Sequence, residues 1–285
     1  MQEAVKLEDV TVHYEGDAAP VVEHISFTVQ RGELVVLYGY VGTGKSSLMR
    51  AISGVNPAAD GTITLFGKVD PARDDTDASH GRTIFSTAKA EHGLATIDGE
   101  ANLHHRGRFG FVFQTPRLLP WRRVEHNVEL GLQRSGMTPR DRHERATELL
   151  ELVGLAHVSE EFPHRLTPSQ FERLGIARAL ASDPEVLLMD EPFSAVERED
   201  RVDLLERVLQ IKEKTGITMI FATHRADDAV CIADRVLLLG GTPTHVLEEI
   251  NIGLEKPQRI ESEGCLDLAS RLSERLEALS EAQSR

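Results

Sequence analysis

Two short segments carry residue types whose order fits phosphoryl chemistry. The first is Gly39-Tyr-Val-Gly42-Thr43-Gly44-Lys45-Ser46, which matches GxxxxGK[ST]. Glycines let the main chain curl tightly, so successive N–H groups converge on phosphate oxygens. A lysine at position 45 reaches the β and γ phosphates of a nucleotide, and the Ser46 hydroxyl is a ligand for Mg²⁺. The second segment is Glu185-Val-Leu-Leu-Met-Asp190-Glu191, an apolar run that ends in two carboxylates. Adjacent strand residues point opposite ways, so the two acids take different tasks. Asp190 suits Mg²⁺, and Glu191 suits polarising an attacking water as general base. A bare glycine turn and a pair of surface acids are the plain alternatives, and finding both segments together disfavours both. There is no Asn-Lys-x-Asp segment of the kind that reads guanine.

The elements needed to position these residues are legible around them. Leu34 to Tyr38 is a continuous apolar run, as in a buried strand, and SSLMRAIS after the loop has helical spacing. Strands are expected at 4–12, Val21 to Val29, Gly61 to Phe66, Phe109 to Phe113, Val186 to Met189, Thr218 to Ala222 and Val236 to Leu239. Pro116 to Leu180 reads mostly helical, with Thr138-Pro139 as an N-cap followed by Pro in the first turn. RVDLLERVLQIKEK reads as an amphipathic helix. Strands alternating with helices predict an α/β core with a parallel sheet and a helical insertion.

The 285 residues are 40% hydrophobic and 27% charged, which excludes a disordered chain. The net charge of −14 makes the molecule a poor match to DNA, RNA or anionic lipid. Cys231 and Cys265 form no metal-ligand spacing and no disulfide framework, and their scarcity fits a reducing compartment. No stretch approaches the roughly 18 apolar residues of a membrane helix. The N-terminus, MQEAVKLEDV, lacks the basic start and apolar core of a signal peptide. Work at a membrane would then depend on another subunit.

With these segments in place, the sequence resembles the nucleotide-binding subunit of ATP-binding cassette (ABC) transporters from about Val5 to Arg259. Seven motifs follow the family order. Tyr14 stands where the family stacks an aromatic on adenine. The glycine loop follows, and then Gln114 in Phe111-Val-Phe-Gln114. Leu166-Thr167-Pro168-Ser169-Gln170 takes the place of the signature LSGGQ. Asp190-Glu191 is followed by Ser194-Ala-Val-Glu197 in the place of SALD, and by His224 in Phe221-Ala-Thr-His224. Taken singly, Tyr14, Gln114 and His224 are ordinary structural residues.

The resemblance implies ATP and Mg²⁺ as cofactors. It implies nucleotide binding by Tyr14, Gly39, Gly42, Thr43, Gly44, Lys45, Ser46 and Ser47, and by Thr167, Ser169 and Gln170 across a dimer. It implies Mg²⁺ at Ser46, Gln114 and Asp190, and catalysis by Glu191, His224 and Gln114. The implied fold is a P-loop NTPase core, a mixed and mainly parallel sheet flanked by helices. An antiparallel β subdomain and an inserted helical subdomain at about 115–180 complete it. The cassette spans 1–259, with a C-terminal helical tail at 260–285.

Leu118-Leu-Pro-Trp121, and Leu247 to Arg259 ending Lys-Pro-Gln-Arg, are similar to importers of nitrate, aliphatic sulfonates and taurine. That likeness implies polytopic permease subunits, a second ABC ATPase subunit, a substrate-binding protein, no nucleic acid, and a peripheral place on the cytoplasmic face of the inner membrane. Trp121, flanked by Arg122 and Arg123, is either an exposed anchor for a permease helix or a packed core residue. A non-transport ABC ATPase and a regulatory ABC subunit remain the alternatives.

Three features depart from the family. Pro168 and Ser169 replace two signature glycines, Glu172 replaces a usual glutamine, and Val196 and Glu197 alter SALD. Pro168 has no N–H to donate, although Pro is comfortable in a first helical turn. The altered motifs are those the family offers to its partner, which predicts pairing with a different cassette that has a regular signature. A symmetric homodimer is the rival. Residues 70–106 form an insertion holding His80, His92, His104 and His105, expected as a surface hairpin or loop rather than a metal site. In the tail, Leu266, Leu268, Leu272, Leu276 and Leu279 fall near helical spacing and predict a packing stripe.

Overall fold

The computed structural model describes residues 2–14, 19–54, 59–65, 82–86, 109–133, 136–253 and 262–283. These fall in two compact units, one of 1–106 with 220–285 and one of 107–219. Within the first unit, β1 (Glu3–Val12) and β2 (Val22–Gln30) form an antiparallel pair. With β4 (Ala59–Leu65) and β5 (Arg82–Ser86) they make a four-stranded antiparallel sheet in the order β2-β1-β4-β5. Val5, Leu7, Val10 and Val12 of β1 are buried. The inward alternation is broken between Leu7 and Val10, where the register shifts and Asp9 takes φ 55°.

The same unit carries a mixed sheet. β3 (Leu34–Tyr38) is buried at all five positions, as its unbroken apolar sequence requires. It runs parallel to β9 (Arg235–Gly240), with Val36 opposite Val236. β10 (His245–Asn251) pairs antiparallel on the far side of β9, and β8 (Thr218–Thr223) lies beside β3. The short helix α1 (Lys45–Ile52) follows β3, and α6 (Ala226–Ile232) follows β8. The last helix, α7 (Glu263–Gln283), packs on α6 and β9.

The second unit pairs β6 (Phe109–Val112) with β7 (Val186–Asp190) in parallel, Phe111 opposite Leu188. Its helices are α2 (Val124–Gly131), α3 (Pro139–Leu152), α4 (Pro168–Leu180) and α5 (Arg198–Thr215). Local chemistry explains their ends. Thr138 and Thr167 each close a capping box with Asp141 and Gln170, and each is followed by Pro at the first helical position. Acidic Glu199 and Asp200 begin α5, Lys212 and Lys214 end it, and Gly216 caps it at φ 65°.

The expected strands and helices lie within a residue or a few of their observed bounds, except that Phe66 lies outside the described residues. Three described elements were not legible: β5 falls in a polar, weakly periodic stretch, and α6 and β10 also escaped. α6 has seven residues, too few for a periodic signal, and β10 (HVLEEIN) is a charged, half-exposed edge strand without clean alternation. Within the insertion, β5 pairs antiparallel with β4. Its four histidines lie outside the described residues.

The tail helix forms, but its stripe differs from the leucine reading. Cys265, Ala269, Leu272 and Leu276 are buried, whereas Leu266 is 44% exposed. A spacing of three and four residues picks one face, and Leu266 stands beside that face rather than on it.

Candidate nucleotide site and partner surface

The first unit holds the phosphate loop. β3 ends at Tyr38, the chain turns through 39–44, and α1 starts at Lys45. Gly39 has no room for a side chain, since a Cβ would meet the Leu239 carbonyl oxygen at 2.5 Å. Gly44 adopts φ 72° and precedes α1 with no side-chain cap. An uncapped helix start presents N–H groups and positive partial charge, which suits a phosphate. Lys45 is buried, and its Nζ donates to the carbonyls of Gly39 (2.9 Å) and Tyr40 (2.8 Å). Thr43 Oγ1 also donates to Tyr40 O. The ammonium is thereby tucked into the loop it serves. The Tyr14 hydroxyl and Ser47 Oγ share a hydrogen bond of 2.9 Å, which ties the expected adenine-side aromatic to the first turn of α1. His224 follows the end of β8, half-buried, and the neighbouring Thr223 carbonyl accepts from Gly39 N.

The second unit holds the other expected residues. Asp190 is the buried last residue of β7, and Glu191 follows it with φ 46°. A left-handed backbone at a non-glycine residue costs about 1 kcal/mol or more and recurs at functional sites. Gln114 is exposed just beyond β6, and its Nε2 donates to Ser194 Oγ at 3.3 Å. This bond joins the expected glutamine to the segment after Glu191.

The signature segment is the start of α4. Thr167 is its N-cap, its hydroxyl accepts from Gln170 N, and Gln170 Oε1 accepts from Thr167 N. Pro168 and Ser169 therefore sit in a well-formed first turn. Ser169 is 6% exposed, and its Oγ has no hydrogen-bond partner among the described residues. One turn on, Glu172 is also buried, its Oε2 has no hydrogen-bond partner among the described residues, and burial pushes its carboxyl up to about 8. A neutral acid at this place resembles the amide that the family resemblance led us to expect.

Trp121 is 71% exposed, which removes the packed-core reading. With Arg122, Arg123, His126 and Phe162 it lines an open cleft of about 370 Å³. The loop that presents it is organised by Asn127, a residue the sequence reading passed over. Asn127 is fully buried in α2. Its Oδ1 accepts from Leu119 N, and its Nδ2 donates to the carbonyls of Leu119, Arg122 and Arg123. A polar residue on an otherwise apolar helix face, close after a Pro-Trp turn, is the signal that would have found it.

Among the described residues no group of three or more His, Cys, Asp or Glu side chains is placed to hold a metal alone. No described helix is long and apolar enough to cross a membrane.

A glycine loop between a buried strand and an uncapped helix, on a mixed α/β sheet, defines a P-loop nucleotide-binding protein. The profile of the ABC transporter family matches residues 22–194. The taurine import ATP-binding protein TauB of Rhizobium johnstonii is 35% identical over 237 residues, covering 83% of this chain and 78% of that protein. An ABC transporter ATP-binding protein of Methanocaldococcus jannaschii is 32% identical over 262 residues, 90% of this chain and 85% of that one. Among solved structures, cbiO1 from Clostridium perfringens superposes with TM-score 0.70 at 22% identity, over 98% of this chain and 99% of that one. A dimeric ATP-binding cassette bound to ADP and phosphate gives 0.67 at 24%, over 88% and 100%. The chain belongs to the ABC transporter family and is an ATPase of that family.

Proposed function

We propose that the chain is the ATP-hydrolysing subunit of an ABC importer for a small solute of the nitrate, sulfonate and taurine class. The exposed Trp121 beside two arginines is the observation that carries the transport reading, together with the likeness to taurine-import subunits. Through that anchor the chain engages polytopic permease subunits on the cytoplasmic face of the inner membrane, which a substrate-binding protein supplies.

Lys45 and the loop amides hold the phosphates, and Tyr14 supports the adenine. Ser46, Gln114 and Asp190 supply hard oxygen donors, few enough to suit a Mg²⁺ that arrives with its nucleotide and keeps several waters. Bound magnesium would neutralise phosphate charge. Glu191 takes a proton from the attacking water, and His224 donates to the γ phosphate. Such catalysis is mainly positioning and electrostatics. The experiment is nucleotide binding and turnover in two variants. Lys45→Ala is expected to weaken ATP binding by about tenfold or more. Glu191→Gln is expected to keep binding while turnover drops by about a hundredfold or more. Turnover at the wild-type rate in Glu191→Gln would remove Glu191 from this role.

A second reading concerns the dimer. Pro168 has no N–H, and the Ser169 hydroxyl is buried. Both features support an asymmetric pair in which a different cassette with a regular signature completes the Lys45 site.

A further inference from the structure

The chain has two cysteines, and the fold brings them together. Cys231 lies near the end of α6, and Cys265 lies in the first turn of α7. Both carry reduced thiols, each is 2% exposed, and the two side chains share a hydrogen bond. Nothing in the nucleotide chemistry uses them.

Their setting is specific. From its second turn onward α7 is anchored several times over. Ala269, Leu272 and Leu276 are buried, the Tyr38 and Ser273 hydroxyls bond at 3.2 Å, and Arg275 pairs with Glu248 at 2.6 Å. The first turn has much less. Between Glu263 and Asp267, Cys265 is the one buried side chain, and Glu263, Gly264, Leu266 and Asp267 face solvent. Ser262 caps the turn by accepting from Cys265 N. A helix end held by one small side chain opens far more often than the domain unfolds. While it is closed, burial and the nearby Asp227 push the Cys265 thiol up, which keeps that thiol protonated and inert. Opening of the turn removes that protection from Cys265.

We propose that Cys231 and Cys265 are a redox-modification site, at which a hydroperoxide joins the two thiols into a reversible disulfide that latches the first turn of α7 to α6. The Cys265 thiolate attacks the peroxide O–O bond, which breaks to give a sulfenic acid and, from hydrogen peroxide, water. The Cys231 sulfur then attacks the sulfenic sulfur. The S–S bond forms, the S–O bond breaks, and a second water leaves. Two thiols give up two electrons and two protons, and the peroxide takes them. A small dithiol reverses the step by exchange. α7 also touches Tyr38, the last residue before the phosphate loop, so the latch fixes the helix that buttresses the base of that loop. The inference does not depend on the transport reading.

The test uses the full chain treated with excess hydrogen peroxide. Intact mass is expected to fall by two hydrogens, titratable thiols to go from two to none, and dithiothreitol to restore both. A non-reducing peptide map is expected to show one intramolecular link between the Cys231 and Cys265 peptides. Amide exchange over 263–269 is expected to slow by about tenfold or more on oxidation, because the latch closes the opening route. Cys231→Ser and Cys265→Ser should each lose the link and the slowing. The map on wild-type protein decides the matter even where a variant folds poorly. Two thiols that survive in folded protein, sulfinic acid without a link, links between chains, or a link with unchanged exchange would each overturn the proposal.

Discussion

Glu172 shows how one buried carboxyl sets a pH response. Its ordinary value is 4.5, and burial on α4 pushes it up to about 8. Between those values the folded chain holds a proton that the unfolded chain has released. The contribution of this site to stability is therefore greatest below about pH 4.5, falls as pH rises through the window, and is fully lost above about pH 8. Glu172→Gln keeps the shape and removes the ionisation. Its melting temperature should match wild type near pH 5 and exceed it by several degrees above pH 8, read by thermal denaturation across pH. Parallel curves would mean that the carboxyl is solvated. Ser169 one turn earlier carries the companion orphan hydroxyl, so this end of α4 is a polar spot inside an apolar helix cluster. The sequence marks both groups as departures from the signature but does not show that they are buried. Both are buried in the folded chain, in which α4 packs on α2, α3, α5 and β6.

Among the elements, α2 and the loop before it separate stability from recognition. Asn127 bonds to Leu119, Arg122 and Arg123 from a fully buried position. Asn127→Ala leaves those backbone groups unpaired and should cost about 2–4 kcal/mol, measured by chemical denaturation. Trp121→Ala removes a mostly exposed ring and should leave stability within about 0.5 kcal/mol. The same change should weaken association with the permease by about thirtyfold, the effect of losing an aromatic hot spot, measured by titration against permease in detergent. Equal affinity in that titration would remove Trp121 from the interface. The expected element order was legible because hydrophobic period and cap chemistry are local: Thr138-Pro139 and Thr167-Pro168 mark helix starts from neighbouring residues alone. α6 and β10 were not, because seven residues are too few for a period and a charged strand without clean alternation carries no signal of its own. β10 exists through its pairing with β9, despite glutamates that disfavour a strand.

At the scale of the whole molecule, the altered signature predicts dependence on a partner. The purified chain alone should turn ATP over slowly and without cooperativity, and a cassette with a regular signature should raise the rate. Brisk, cooperative turnover by the isolated chain would establish the symmetric dimer instead.

The candidate site divides along the same line between local and distant causes. Residue order by itself determined the glycine loop, the paired acids after an apolar strand and the family, because each is a pattern of adjacent residue types whose chemistry is carried by the backbone they imply. Only the tertiary structure decided that Lys45 tucks its ammonium onto Gly39 and Tyr40, that Trp121 faces solvent, that Glu172 is buried, and that Cys231 meets Cys265. Burial and partnership are set by what the rest of the chain packs against a residue, and that is not written at the residue itself.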